Sequence, residues 1–160
     1  MASRTRLAND AWEALLSAHA RLMKQFAAED SWQDLSMREY DVLYTLSKRR
    51  EPVRMGELHR QVLLSQPALS RMVDRLVERG LVERSPDPAD GRGVRLSLTD
   101  AGREIQRQIG RRHARSVARA LTAELSPDEL RQLATIGWKL AGRSAATDTS
   151  TSHDKELART

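Results

Sequence analysis

Cysteine is absent from this sequence of 160 residues. Its absence excludes disulfides, thiol-based redox sensing and cysteine-ligated zinc, and it is typical of proteins in a reducing compartment. No apolar run approaches the about 20 residues that a membrane-spanning helix needs. The basic N-terminus also leads into no apolar signal-peptide core. We therefore expect a cytoplasmic protein with no membrane segment.

Histidine is also scarce, and the few histidines are scattered. His19, His59, His113 and His153 lie in four different segments, and none of them forms an i,i+4 pair. A metal site would have to bring distant residues together. No nucleophile–base pairing, phosphate-binding loop or metal motif occurs, and Ser65 at a helix start is better explained as a cap. The sequence therefore predicts no enzyme, no metal site and no cofactor.

Lysine is rare, and arginine supplies most of the positive charge. The formal net charge is +5. The segment from Arg54 to Arg119 holds 14 Arg against 8 Asp or Glu, so the whole positive excess lies there. A localised basic surface favours a polyanionic partner. A solvated, arginine-rich surface with no such partner is the alternative.

Helical periodicity dominates the chain. A first helix over about 9–28 carries a nearly heptad apolar stripe, which either pairs with another helix or faces an ordinary core. A capping box of Ser36 and Glu39 begins a second helix, and a short third helix covers 54–62. Ser65 is expected to cap a fourth helix, whose apolar side carries Leu69, Met72, Val73, Leu76 and Val77.

Two short alternating stretches follow, 81–85 and 94–98, and they are typical of half-buried strands. The linking "PDPADGRG" has the composition of an exposed loop. Thr99 then caps a fifth helix over about 100–122, and a second capping box at Ser126 begins a sixth. The Ser/Thr-rich residues from 143 onward predict a mobile tail.

This order of elements, a helix-turn-helix followed by a hairpin, is that of a winged helix. The fourth helix can press its apolar side onto the core and offer its polar side to a major groove. Polar groups at its N-terminal end can meet phosphates or base edges. The candidate DNA-binding residues of this helix are Ser65, Gln66, Ser70, Arg71 and Arg75.

The hairpin offers a second contact. A wing beside that helix would reach the flanking minor groove, where the negative potential favours a guanidinium. Arg92 supplies that charge, and Asp90 can hold it in an extended rotamer. The alternative is a turn with an incidental exposed ion pair, worth about 0–1 kcal/mol.

The stretch "LLSQPALSRMVDRLVERGLVERSPDPADGRGVRLSLTDAG" resembles the DNA-binding core of the MarR (multiple antibiotic resistance regulator) family of winged-helix transcription factors. The resemblance is strong over about 35–105. Its motifs are the serine-capped fourth helix, "RLVERGLVER", "DPADGR" and "LTDAG". The Asp-x-Arg that family members carry in the wing matches Asp90 and Arg92.

The resemblance implies a mainly α fold with a small β-hairpin wing. It implies an N-terminal dimerisation helix (1–34), a winged helix-turn-helix (35–100), C-terminal dimerisation helices (101–142) and a flexible tail (143–160). It also implies an obligate homodimer that binds an inverted repeat, with its two major-groove helices roughly 34 Å apart.

Many members of this family are released from DNA by a small aromatic or anionic molecule. The candidate ligand-binding residues here are Trp12, His19, Tyr40, Tyr44 and His113. The alternative is that they are core or interface residues, which is the more frequent role of such residues. The leading hypothesis is therefore a ligand-responsive DNA-binding regulator, a repressor. The alternative is a winged-helix module that binds protein and has no sequence-specific DNA affinity.

Overall fold

The computed structural model describes residues 3–32 and 34–142, with the backbone alone at 31, 91 and 92. The helices are α1 (Arg4–Ala27), a single 3₁₀ turn (Asp30–Trp32), α2 (Met37–Ser47), α3 (Met55–His59), α4 (Gln66–Glu78), α5 (Asp100–Thr122) and α6 (Pro127–Leu140). The strands are β1 (Val53–Arg54), β2 (Val82–Asp87) and β3 (Asp90–Leu98). The chain divides into two compact units at Val117/Ala118, so α5 runs through both.

The helix starts follow from the predicted caps. At α2, the Ser36 hydroxyl accepts from the Glu39 N–H at 3.2 Å, and the Glu39 carboxylate accepts from the Ser36 N–H at 2.8 Å. The same reciprocal pair opens α6 at Ser126 and Glu129. Both capping boxes satisfy amide donors that the first helical turn leaves unpaired. These predictions are confirmed.

The core of the first unit lies where α2, α3 and α4 meet the sheet. The predicted apolar side of α4 is buried, except that Val77 is only half-buried. Each fully buried Leu or Val contributes about 1.5–3 kcal/mol relative to an exposed one. The largest fully buried side chains are Leu43, Leu58, Leu69, Leu76, Leu96, Ile109, Val42, Val73 and Val82. Burial of this side leaves the polar side of α4 facing outward.

The sheet differs from the predicted two-stranded hairpin. It has three antiparallel strands in the order β1-β3-β2, and Arg54 of β1 lies opposite Arg95 of β3. Strands β2 and β3 extend further than expected, to the facing pair Asp87 and Asp90. Most of the predicted loop is therefore strand, and Pro88-Ala89 forms the turn. We name residues 82–98 the wing.

The first helix also differs from its prediction. It begins at Arg4 rather than near Asn9, because Ser3 accepts a hydrogen bond from the Arg6 N–H at 3.2 Å. Its apolar stripe is largely uncovered within this chain, with Trp12 59% and Leu16 47% exposed, and only Phe26 is buried. The stripe therefore does not face the core of its own chain over most of its length.

The second unit consists, in its described part, of the end of α5 from Ala118 onward and of α6. No residue of α6 is buried, and Leu133, Ile136 and Leu140 are 46%, 56% and 71% exposed. The predicted mobile tail, 143–160, lies outside the described residues. Among the described helices, none is both long and apolar enough to span a bilayer.

Candidate nucleic-acid interface

The N-terminal end of α4 is open to solvent. Ser65 and Gln66 are exposed, and Ser70 one turn later is half-buried. Ser65 has the extended backbone of an N-cap, but its side chain makes no capping hydrogen bond. The predicted cap is thus correct in position and wrong in its bond. The first N–H groups of α4 therefore donate no hydrogen bond to that hydroxyl, and a helix start of this kind can bind an anion.

Arginines occupy the outward face of α4 further along. Arg71 is exposed. Arg75 keeps 54% of its side chain exposed, with its Nε 4.0 Å from Oε1 of Glu39, and Arg79 lies 3.7 Å from the same oxygen. The carboxylate that caps α2 therefore also pairs with Arg75 of α4 and with Arg79, the C-cap residue of the same helix. Of the two predicted arginine contacts, Arg71 lacks this pairing and Arg75 has it.

An ion pair joins α4 to the wing. Asp74 of α4 accepts from Arg84 of β2 at 2.5 Å, and both side chains are close to half-exposed. Exposed pairs of this kind contribute little to stability. This pair nevertheless affects the relative position of α4 and the wing, because it connects the two elements that are predicted to enter the grooves.

The carboxylate that binds arginine side chains in the wing is Asp87, a residue that sequence reasoning missed. Its side chain is fully buried and bonds to Nε of Arg54, to the N–H of Ala89 at 3.0 Å and to Arg95 at 3.1 Å. The Ala89 N–H, followed by the Arg54 guanidinium, lowers the pKa of Asp87 to about 2. Asp87 therefore stays ionised under all physiological conditions.

The predicted Asp90–Arg92 pair stays a prediction. Asp90 directly follows the turn and is exposed, whereas the side chain of Arg92 lies outside the described part of the structure. The sequence did contain a signal for Asp87. An aspartate just before Pro-Ala matches the first position of a β-turn, where a carboxylate accepts from the backbone two residues on. Its partner Arg54 lies 33 residues earlier and gave no such signal.

Three of the five candidate ligand residues meet in one aromatic cluster. Tyr40 stacks on Tyr44 with ring centroids 5.9 Å apart and meets the edge of His113 at 5.9 Å. Trp32, which was not predicted, lies 4.9 Å from His113. Trp12 and His19 do not join the cluster. Tyr40 and Trp32 of this group are buried, whereas Tyr44 is 42% exposed.

His113 contributes the imidazole of that cluster. Its ring also meets Phe26 edge-on at 5.1 Å, and its buried Nδ1 has no hydrogen-bond partner among the described residues. Burial lowers the pKa of His113, and the charge of Glu29 opposes that shift. Burial therefore favours the neutral form of the imidazole.

A pocket of about 660 Å³ opens beside the cluster, within the first unit. Of the five predicted ligand residues, only His19 lines it. Its polar lining includes Lys24, Arg38 and Asp41, and burial raises the pKa of Asp41. Val62, Leu63 and Leu64, the residues just before α4, form part of its wall. Among the described residues, no group of three His, Asp or Glu could hold a metal ion.

Comparison with known proteins points to one family. The sequence model of the MarR family matches residues 35–94. The Multiple antibiotic resistance protein MarR of Escherichia coli (strain K12) is 40% identical over 77 residues. That match covers 48% of this chain and 54% of the relative. The chain thus spans about half the length of the curated relatives of this name.

Solved structures extend the similarity to most of the chain. Sco3205, a MarR family transcriptional regulator from Streptomyces coelicolor in complex with DNA, superposes with a TM-score of 0.72 and 26% identity. The superposition covers 88% of each chain. The PcaV transcriptional regulator from the same organism, in complex with its natural ligand, gives 0.62 and 27% identity over 88% of this chain and 92% of that one.

Proposed function

Because this chain belongs to the MarR family of transcriptional regulators, we propose that it is a homodimer that binds double-stranded DNA at an inverted repeat and represses transcription. Family membership places it among regulators rather than enzymes. DNA as the partner also implies a cytoplasmic location. Residues 35–100 form the DNA-binding domain in this proposal, and 1–34 and 101–142 provide dimerisation.

The observation that carries this proposal is the division of α4 into two faces. Leu69, Met72, Val73 and Leu76 are buried, and the polar residues are left on the outside beside a wing tied to α4 through Asp74 and Arg84. An exposed polar helix face fits the major groove, and a hairpin beside it reaches the flanking groove. The proposed DNA-contacting residues are Ser65, Gln66, Ser70, Arg71, Arg75 and Arg92, with Asp90 positioning Arg92.

Uncovered apolar surface supports the homodimer. Leu7, Trp12, Leu15 and Leu16 of α1 are 45–59% exposed, although soluble monomers rarely leave a contiguous apolar stripe uncovered. The described part of the second unit repeats the pattern, since α6 buries none of its apolar residues. A second copy of the chain would supply the apolar partner that these helices lack. Twofold pairing would also set two α4 helices at a fixed spacing along DNA.

The pocket lined by Lys24 and Arg38 supports a small-molecule effector. Its wall combines two cations and the carboxyl group of Asp41 with apolar side chains that include Trp32, and this lining, with more cations than acids, suits an aromatic anion. Residues 62–64 belong to that wall, and only Ser65 separates them from α4. A molecule bound in the pocket would therefore contact the segment that leads into the DNA-reading helix. Release from DNA on binding such a molecule is therefore part of the proposal.

Recovery of bound fragments tests the DNA-binding function. Purified protein is mixed with sheared DNA of its own genome, and the retained fragments are sequenced and titrated at several salt concentrations. We expect an inverted repeat, and an affinity that falls steeply with salt because phosphate contacts release counterions. Arg92→Ala should weaken binding and leave the dimer intact. Retention of no fragment, with proteins captured instead, would favour the protein-binding module.

A further inference from the structure

Arg54 and Arg95 are cross-strand neighbours in the sheet, facing each other in the register of β1 and β3. Like charges in directly opposite positions destabilise a sheet. Here the buried Asp87 carboxylate separates them, since one of its oxygens accepts from Arg54 and the other lies 3.1 Å from Arg95. The Arg54–Asp87–Arg95 cluster therefore keeps two guanidinium groups at one place and retains one net positive charge.

The bond to Asp87 also determines the position of the Arg54 guanidinium. Arg54 starts from β1, but its partner Asp87 is the last residue of β2 and faces Asp90 across the two-residue turn. The guanidinium thus lies at the tip of the wing. The charge of Asp90 helps to raise the pKa of Arg54, after the larger contribution of the Asp87 hydrogen bond. Arg54 is therefore within electrostatic range of the residues predicted to meet DNA.

Only part of the Arg54 guanidinium is used in this cluster. Its Nε bonds to Asp87, and 47% of the side chain is exposed to solvent. A guanidinium has further N–H groups on its two terminal nitrogens, and their planar fork suits a phosphate. Fixing Nε in advance reduces the conformational entropy that an arginine loses when it binds.

We propose that Arg54 of β1 is a second DNA-contacting arginine, beside Arg92 of the wing, and that Asp87 positions it against a backbone phosphate. This inference rests on the proposed function, and it adds a contact that comes from β1 rather than from the hairpin itself. Gly93 belongs to the same arrangement. A Cβ at Gly93 would come within 2.9 Å of the Asp87 Cβ, so a side chain there would displace the carboxylate that holds Arg54.

The salt dependence of DNA affinity tests the contact. The dissociation constant of a recovered genomic fragment is measured over a series of salt concentrations for wild type, Arg54→Gln and Arg54→Lys. The control is Arg131→Gln, which removes the same charge from a 72% exposed arginine paired with Asp128 on α6. Arg54→Gln should reduce the slope of log affinity against log salt by about 0.9, the value for one phosphate. Arg54→Lys should restore most of that slope, and the control should keep all of it.

A purely structural role of Arg54 gives a different result. The melting temperature would then fall for both Arg54 variants while the salt slope stayed at the wild-type value, and the inference would be overturned. Failure of the proposed function is distinct, since wild type would then bind no DNA even at low salt. If wild type binds and Arg71→Ala weakens binding, an unchanged slope for Arg54→Gln refutes the Arg54 contact alone.

Discussion

Gly102 lies directly against the backbone of Leu81: a Cβ atom added to this glycine would meet the Leu81 carbonyl oxygen at 2.0 Å. Thr99 fixes the same junction, because its hydroxyl donates to the Gly80 carbonyl at 2.7 Å and accepts from the Gly102 N–H at 3.0 Å. The start of α5 is thereby joined to the end of α4. The "LTDAG" motif therefore has a packing reason for its glycine as well as a capping reason for its threonine.

Gly102→Ala should therefore destabilise the protein strongly. The added Cβ would meet backbone atoms of Leu81, and no flexible side chain could move away to relieve the clash. We therefore expect the free energy of unfolding to fall by about 3 kcal/mol or more, at or above the upper end of the range typical of overpacking. Urea or thermal unfolding measures it. Gly56→Ala is the matched control, since a Cβ there meets nothing within 4 Å. Equal stability of the two variants would contradict the close approach of Gly102 to Leu81.

Arg71→Ala should weaken operator binding by about 1–3 kcal/mol, and it should relax sequence preference if Arg71 touches a base edge. Arg75→Ala should cost a similar amount of DNA affinity. Arg75→Ala should also remove the ion pair that joins α4 to α2, because Arg75 lies 4.0 Å from Glu39 in the free protein. Affinities measured for the operator and for a duplex of scrambled sequence separate a loss of affinity from a loss of sequence preference. Wild-type affinity of Arg71→Ala for both duplexes would refute a role for this face of α4.

Much of this interface could be predicted from sequence because its signals are local. The capping boxes at Ser36 and Ser126 act within three residues, and the period of α4 sorts its own residues into buried and exposed sides. The winged-helix order of elements followed from such signals. The family resemblance agreed with them over the same stretch of chain.

What could not be predicted depends on contacts between distant segments. Strand β1 has two residues, too few to show an alternating pattern, and it exists because β3 pairs with it. The turn position of Asp87 has a local signal, but its burial between Arg54 and Arg95 has none, because Arg54 lies 33 residues away. The early start of α1 was missed for another reason, since the predicted start followed the apolar stripe and overlooked Ser3 as a cap.

A charge placed in the exposed stripe of α1 should dissociate the proposed dimer. In Leu16→Lys, an ammonium would replace a side chain that is 47% exposed in the single chain and, by this proposal, buried in the pair. Desolvation of that charge should shift the protein toward monomer. Sedimentation at several protein concentrations measures the shift. Leu63→Lys, at a leucine that is 97% exposed outside α1, is the control and should leave the mass unchanged. A dimer of unchanged affinity in Leu16→Lys would exclude this face.

An aromatic carboxylate should reduce DNA affinity through the pocket beside α2. Benzoate is the probe, and its effect on the dissociation constant of the operator is compared between wild type and Arg38→Gln. We expect at least a tenfold higher benzoate requirement in the variant, because about 1.4 kcal/mol of lost charge pairing corresponds to that factor. Arg49→Gln removes an exposed arginine that does not line the pocket, and it should respond as wild type does. Identical responses of Arg38→Gln and wild type would exclude this pocket as the benzoate site.

The half-buried imidazole of His113 should make stability depend on pH. Burial lowers the pKa of His113 in the folded chain, whereas the unfolded value is near the ordinary 6.5. As pH falls through 6.5, the unfolded state binds a proton that the folded state resists, so the free energy of unfolding decreases over that window. Nearby Glu29 opposes this effect without reversing it, because desolvation is the larger cause.

His113→Phe tests this dependence, since phenylalanine keeps a ring among Phe26, Trp32 and Tyr40 and does not titrate. Melting temperatures between about pH 7.5 and 5.5 should fall less for His113→Phe than for wild type. If wild type and His113→Phe lose stability in parallel across this range, the neutral imidazole is not what makes the fold sensitive to acid.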